Sequence, residues 1–354
     1  MGQIGYRAQE RIFQLLRDGQ PRRRQEIAEA LSLSMPTTLQ KVTELLEAGV
    51  IEECGTAPSD GGRKAKWLRL REDAGQAVGV NIGLHEVEFL VTGLTGGIQA
   101  SFSAPYSFED EPSWYVGFQE MLAAFLSREG VNASRVLGGG VSFPGIIDGE
   151  ECQVLRSHIL GLSHMGLERF RKALPFPTVF ANDANCACFA ERASHGESYV
   201  YLSLNETVGG AVMLNGRLLA GDTFQAGEIG HMLLVPGGRE CYCGKQGCAD
   251  AYLSPQALEQ DGWNVYLEHL AILLTNLRML MDLDMVVGGQ VGARIGPHMG
   301  ELLEKAAQYD RFARDIDYVY PCVQKEHACA LGAACCALEK YSARILPGAG
   351  EELP

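Results

Sequence analysis

At 354 residues, with 46% apolar and 21% charged side chains, the chain has the makeup of a globular protein of two or three domains rather than a disordered one. No apolar run reaches membrane-spanning length, since the longest candidate, residues 267–283, is broken by Asn276, Arg278 and Asp282. The net charge of −14 is uneven: residues 1–75 carry 12 Lys/Arg against 11 Asp/Glu and the remainder 18 against 33, so any contact with nucleic acid must come from the first segment.

That segment reads as three helices and a hairpin. Residues 6–19 repeat apolar side chains at helical spacing (Ile12, Leu15, Leu16) and stop at Gly19. A second helix over 22–31 turns Ile27, Ala28 and Leu31 inward. Ser34 is a good N-cap, with Pro36 in the first turn of a third helix that runs to Ala48. Leu39, Val42, Leu45 and Leu46 form its expected buried stripe, leaving Met35, Thr37, Thr38, Gln40 and Lys41 outward. Small hydroxyls, an amide and a lysine at the front of such a helix suit a major-groove reader. Residues 50–53 and 66–71 look like paired strands joined by Ala57-Pro-Ser-Asp-Gly-Gly-Arg-Lys. Gly62 and its neighbour would let this connection approach a groove, which Arg63 and Lys64 could enter.

From Gln76 the pattern becomes strand-like, with AVGVNIG, VEFLVTGL and IQASFSAPYSF in succession. A helix is expected over 111–129, a buried strand over 136–141 ending in SFPGIID, a helix over 167–173 and a short strand over 178–180. Asp183, in Ala-Asn-Asp-Ala-Asn, is placed to cap a helix over 184–193, and a carboxylate at a strand's end beside an amide also suits hydroxyl binding. Residues 199–204 and 209–214 read as a hairpin, with Asn215-Gly216 as a further turn. After Ser254 a long helix is expected from about Trp263, with its apolar body over 267–281, then a strand over 285–289. A last helix over 328–341 carries Gly332, Ala333 and Ala334 as a close-packing face that should cross back to the first lobe.

Between these lies the most informative stretch, GEIGHMLLVPGGRECYCGKQGCADAYLS. His231, Cys241, Cys243 and Cys248 fall within eighteen residues, and three thiolates with one imidazole suit tetrahedral Zn²⁺. Four protein ligands leave no open position, so such an ion would be structural. The other eight cysteines (Cys54, Cys152, Cys186, Cys188, Cys322, Cys329, Cys335, Cys336) sit mostly in apolar surroundings and read as free thiols of a reducing cytoplasm.

G-E-I-G-H followed by C-x-C-G-x-x-G-C resembles the signature of the ROK family of repressors, uncharacterised reading frames and sugar kinases. The resemblance implies a winged helix-turn-helix domain over 1–75, followed by a two-lobed α/β domain of the actin-like (ribonuclease H-like) ATPase type. The first lobe would comprise 76–183 and 325–354, and the second 184–324 with the zinc loop. It places Pro144, Gly145, Asn182, Asp183, Glu228 and His231 around a sugar, with Asp183 as the general base of the family's kinases. His231 would give one ring nitrogen to the metal and the other to the sugar. Asp250, standing where the family usually has Glu, completes that sugar-binding set. Ser-Asp-Gly-Gly-Arg-Lys resembles the repressors' wing, so Ser34, Thr37, Thr38, Gln40, Lys41, Gly62, Arg63 and Lys64 are the expected DNA contacts.

The two glycine turns that hold ATP phosphates in the kinases are altered. D-x-G-G-T becomes Asn81-Ile82-Gly83-Leu84-His85, and G-T-G-x-G-G becomes Asn205-Glu206-Thr207-Val208-Gly209-Gly210. A carboxylate replaces a phosphate-facing glycine, and side chains bar close backbone approach. The expectation is therefore a sugar-responsive repressor, cytoplasmic, silent as an enzyme, acting on an operator as a homodimer or tetramer. The alternative is an active ATP-dependent sugar kinase.

Overall fold

The computed structural model describes residues 8–56, 66–312 and 315–347. The head comprises α1 (Ala8–Leu16), α2 (Arg24–Leu31), α3 (Met35–Glu47) and an antiparallel pair, β1 (Ile51–Thr56) and β2 (Lys66–Leu70). Arg22 and Leu68 exchange backbone hydrogen bonds of 2.9 Å, so Arg22 belongs to a third sheet element and α2 starts two residues later than its apolar pattern suggests. Ile12, Phe13, Leu16, Ile27, Val42, Leu45 and Leu68 close the small core. That core runs on without a break into Leu94, Leu137 and Leu338, so the head is packed against the larger domain.

The larger domain contains two five-stranded sheets of one topology. The first has the order β10-β6-β3-β4-β5, from β3 (Gln76–Ile82), β4 (Glu86–Thr92), β5 (Ile98–Pro105), β6 (Val136–Phe143) and β10 (Thr178–Asn182). Here β3, β4 and β5 form an antiparallel meander, and β6 and β10 add in parallel on the other side of β3. The second has the order β13-β12-β11-β14-β15, from β11 (Tyr199–Leu204), β12 (Val208–Leu214), β13 (Arg217–Leu218), β14 (Asp284–Gly288) and β15 (Val319–Pro321). It repeats the meander and the two parallel additions. The apolar strands of each sheet are covered by helices, as sheets with parallel strands require. These are α4 (Pro112–Arg128) and α5 (Glu168–Ala173) in the first lobe, and α8 (Pro255–Met281) and α10 (Met299–Tyr309) in the second.

Each sheet's last strand hands the chain to a helix that packs across the other lobe. From β10 comes α6 (Asp183–His195), against β11 and β12; after β15 comes α11 (Ala328–Tyr341), against β3, β4 and β6. The two helices cross each other, and a Cβ built on Gly332 would lie 1.7 Å from the Cys186 carbonyl oxygen. The expected crossing face of the last helix is thus present.

Three features differ from the sequence reading. Residues 146–166 form an unanticipated three-stranded sheet of β7 (Ile146–Asp148), β8 (Gln153–Ser157) and β9 (Leu162–Gly166), and α10 was likewise unread. The helix expected from Trp263 instead begins at Pro255, capped by Ser254, and is interrupted at Gly262, whose φ of 72° leaves the helical region. Its pattern is masked because the stretch before Gly262 buries only Ala257 and Leu258. Two short helices, α7 (Asp250–Leu253) and α9 (Gly289–Gly292), complete the chain.

Candidate functional site

The sheets face one another across a cleft, and a cavity of about 840 Å³ opens there. Its floor is the C-terminal end of β10. Asn182 caps α6 through its side-chain oxygen, which accepts from the Asn185 N–H at 2.9 Å, while its amide donates to the Gly145 carbonyl at 2.8 Å. The cap expected of Asp183 is therefore made by Asn182. Asp183 is the first helical residue, and its Oδ1 accepts from the Ala184 N–H and the Asn182 amide, both at 2.9 Å. This leaves the carboxylate's other oxygen for the cavity. Protein packed around Asp183 desolvates it, and its pKa rises from 3.8 to about 6 although one side opens on the cleft.

Gly145 has φ 121°, and a Cβ there would strike the Arg156 carbonyl at 2.4 Å, so only glycine lets β7 turn under the cavity beside Pro144. Glu228 faces the cavity from the opposite wall, its pKa raised by desolvation. Its Oε2 is 3.9 Å from His231 Nε2. Pro144, Gly145, Asn182, Asp183, Glu228 and His231 thus line one cavity. Asp250 stands apart. It is buried, accepts from the Val208 N–H at 2.7 Å and fixes the turn into β12 rather than lining the cavity; burial raises its pKa to about 6.

The four metal-ligand candidates also converge. His231 Nδ1 lies 3.7 Å from Cys241 Sγ, Cys243 Sγ lies 3.8 Å from Cys248 Sγ, and all four donor atoms fall within 4.8 Å of one another. A tetrahedral ion with metal–sulfur bonds of about 2.3 Å separates its sulfurs by roughly 3.8 Å. The cluster could therefore hold a metal ion. The other ring nitrogen, Nε2, meets the Tyr242 hydroxyl at 3.2 Å beside the cavity. Gly244 and Gly247, at φ 86° and 87°, turn the loop so that Cys243 and Cys248 meet.

A second cavity of about 500 Å³ adjoins the first, and Pro144, Asp183, Ser203 and Thr207 border both. Its walls include the altered turns, with Asn81 to His85 on one side and Asn205, Glu206 and Thr207 on the other. Glu86, Glu88, Glu206 and Glu326 face it together with Asp183, against one lysine, Lys325. Glu88 is buried and hydrogen-bonded to His327. Asn205 ties its turn down by accepting from the Gln290 N–H at 2.8 Å.

On the head, Ser34 caps α3 by accepting from the Thr37 N–H at 3.3 Å. Gln40 is exposed, and Lys41 pairs with Glu44 at 2.9 Å. Two positions exchange the roles their side chains suggest: Thr38 is fully buried, whereas Leu39 is 46% exposed. Thr38 lies one turn before Val42, and its hydroxyl donates to the Ser34 carbonyl at 3.1 Å, which removes the cost of burying it. Met35 and Leu39 flank Gln40 on the open face of α3. Gly62, Arg63 and Lys64 lie outside the described residues.

The cleft residues that sequence reasoning missed come mainly from the β8–β9 hairpin and the metal loop: Arg156, His158, His164, Tyr242 and Lys245. Arg156 sits opposite Ile146 in a short sheet with no apolar alternation strong enough to reveal it.

A helix-turn-helix head joined to a two-lobed α/β domain, with a polar cavity between the lobes and a Cys/His cluster at its edge, defines the class of protein. The chain belongs to the ROK family, whose model matches residues 77–263. The xylose repressor of Bacillus subtilis (strain 168) is 25% identical over 242 residues, covering 67% of this chain and 63% of that protein. The DNA-binding transcriptional dual regulator NagC of Escherichia coli (strain K12) is 24% identical over 255 residues, covering 70% and 63%. The chain thus spans just under two thirds of these relatives' length. In fold it is similar to a ROK family transcriptional regulator that is a homolog of the E. coli MLC protein (TM-score 0.77, 19% identity, 98% of both chains). It is also similar to the ROK hexokinase from Thermus thermophilus (TM-score 0.64, 24% identity, 75% of this chain and 99% of that one). Among the described residues no helix is long and apolar enough to cross a membrane.

Proposed function

We propose that the protein is a sugar-responsive transcriptional repressor. Its head binds an operator in double-stranded DNA, and its interlobe cavity binds a carbohydrate effector without phosphorylating it. The observation that carries this reading is the contrast between the two halves of the cleft. One gathers amide, carboxylate and imidazole groups suited to hydroxyls. The other surrounds any triphosphate with carboxylates and supplies a single lysine. The relatives named as a xylose repressor and as a DNA-binding transcriptional dual regulator support the same reading.

Domain limits at 75, 183 and 324, a cytoplasmic location and a homodimer or tetramer belong to this proposal. So does a structural Zn²⁺ at His231, Cys241, Cys243 and Cys248. An effector that favours one closure of the lobes would shift the head, because α11 spans the distance between them. Its N-terminal His327 lines the acidic cavity, and Glu339 near its other end pairs with Arg17, just beyond α1, at 2.6 Å.

The deciding experiment is calorimetry and a coupled ADP assay on the purified protein with ATP, Mg²⁺ and a sugar panel. Sugar binding without sugar-dependent ADP release is expected. ADP release abolished by Asp183→Asn would establish the kinase alternative instead, which the hexokinase-like fold keeps in view.

Two narrower expectations accompany it. The protein should contain one zinc by elemental analysis, and Cys243→Ser should release it and lower the thermal midpoint, because metal binding to such a loop is folding free energy. Metal content unchanged in the variant would remove Cys243 from the ligand set. Arg63→Ala should weaken operator binding and flatten log K against log salt by about one unit if Arg63 meets a phosphate. The effect should be visible because many of the head's described cations are engaged, among them Arg23 with Glu26, Arg24 with Glu53, Lys41 with Glu44 and Arg69 with Glu52.

A further inference from the structure

The interlobe cavity has two chemically different ends. Asn182, Asp183 and Glu228 gather at its floor and on one wall, as hydroxyl recognition requires. The β8–β9 hairpin and the metal loop contribute Arg156, His158, His164 and Lys245. In a protein of net charge −14 this is a local reversal of sign. Among the described residues Asp183 and Glu228 are the cavity's only carboxylates, and no carboxylate lies within ion-pair distance of Arg156. Most arginines of the head, by contrast, are paired.

The position of Arg156 is fixed by the fold. It pairs with Ile146 in the sheet, and its carbonyl lies against Gly145, whose own carbonyl accepts from Asn182. Its backbone therefore lies one contact away from the hydroxyl-binding groups, and the residue lines the same cavity. Lys245 is held at the cavity wall by donating to the His231 carbonyl at 2.8 Å, which leaves further N–H groups on its ammonium. The Tyr242 ring stands edge-on to both His158 and His231, with centroids 5.5 and 5.2 Å apart, and offers an apolar face between the two ends. A guanidinium with no carboxylate partner at the cavity's edge is matched by a carboxylate or phosphate through paired N–H donors, which a neutral hydroxyl cannot satisfy equally.

We infer that the effector is an anionic sugar, bearing a phosphate ester or a carboxylate that Arg156 receives while its hydroxyls lie on Asn182, Asp183 and Glu228. This rests on the carbohydrate reading above and narrows it.

The test is calorimetry on the full chain with matched neutral and anionic probes: glucose, galactose and N-acetylglucosamine as free sugars, as 6-phosphates, and glucose and galactose also as uronates. At least one anionic form should bind about tenfold or more tightly than its parent sugar, the 6-phosphates and uronates showing which anion is preferred. Arg156→Gln, at an exposed strand position where folding should be unaffected, should reduce that preference to within about twofold. Neutral sugars binding as tightly as every anionic counterpart would overturn this inference while leaving the carbohydrate reading standing. An anionic preference that survives Arg156→Gln overturns the assignment to Arg156. No binding by any probe, neutral or charged, overturns the carbohydrate reading and this inference with it.

Discussion

Asp183→Asn is expected to make the protein more stable at pH 7.5 and a much poorer sugar binder. The carboxylate sits where β10 meets α6, desolvated by its surroundings, and folding raises its pKa from 3.8 to about 6. Below pH 4 both folded and unfolded chains carry the proton, so the group does not affect stability. Between pH 4 and 6 the folded state holds a proton that the unfolded chain has released, and stability therefore falls as pH rises. Above about pH 6 the whole penalty is present, on the order of 3 kcal/mol. Asn keeps an oxygen for the Ala184 N–H and has no charge to desolvate, so the variant should gain that amount at pH 7.5 and little at pH 4. Asp250 shares the same direction of shift, so the wild-type slope between pH 4 and 6 should be reduced in the variant but not abolished. Sugar affinity should fall roughly tenfold to a hundredfold, the worth of a hydrogen bond to a charged acceptor. Thermal unfolding at the two pH values, with calorimetry at pH 7.5, measures both. A variant less stable at pH 7.5, or one that binds sugar like the parent, contradicts the assignment. A carboxylate retained at a cost in stability is what a binding site would produce, and a mere helix cap would not, since Asn182 already provides the cap.

How far this site could be read in the sequence depended on how local its parts are. The metal-ligand candidates lie in one short glycine-rich loop, so their spacing alone brings them together. Asn182 and Asp183 were legible because a strand end and a helix start coincide there, although which of the two makes the cap required the backbone. Asp250 was assigned to the sugar by its family position, two residues after Cys248, whereas the cavity lining does not include it. A residue two positions on lies at the start of a short helix, and it turns its carboxylate to the Val208 N–H. Arg156 was invisible because its importance comes from a register, opposite Ile146 and against Gly145, that no single stretch encodes. On α3, Thr38 and Leu39 each fit a helical stripe. Hydropathy favoured leucine inside, whereas a hydroxyl returned to the Ser34 carbonyl made threonine the buried one. The repeated topology of the two sheets was equally hidden, since strand order is a property of pairing between distant segments.

Gly332→Ala should cost about 3 kcal/mol or more, which for a chain of this size is a fall of roughly 4 °C or more in the thermal midpoint. The methyl group would be placed 1.7 Å from the Cys186 carbonyl oxygen and 2.3 Å from its carbon. Those are backbone atoms in the first turn of α6, so no rotamer change can clear the space. The helices must move apart, and α11 cannot simply retreat. Its opposite face is seated with equal closeness on the first sheet, where Cβ atoms on Gly79 and Gly140 would each lie 1.9 Å from carbonyl oxygens of Ala330 and Ala333. Relief on one side thus creates a collision on the other. Gly300 provides the control: it lies in α10, a Cβ there meets nothing within 4 Å, and Gly300→Ala should stabilise by up to about 1 kcal/mol through helix propensity. The same substitution with opposite signs at two helical glycines separates packing from backbone preference. An unchanged midpoint for Gly332→Ala would mean that the α6–α11 crossing has room the geometry denies. It would also take away the rigid element through which a closing cleft could act on the head.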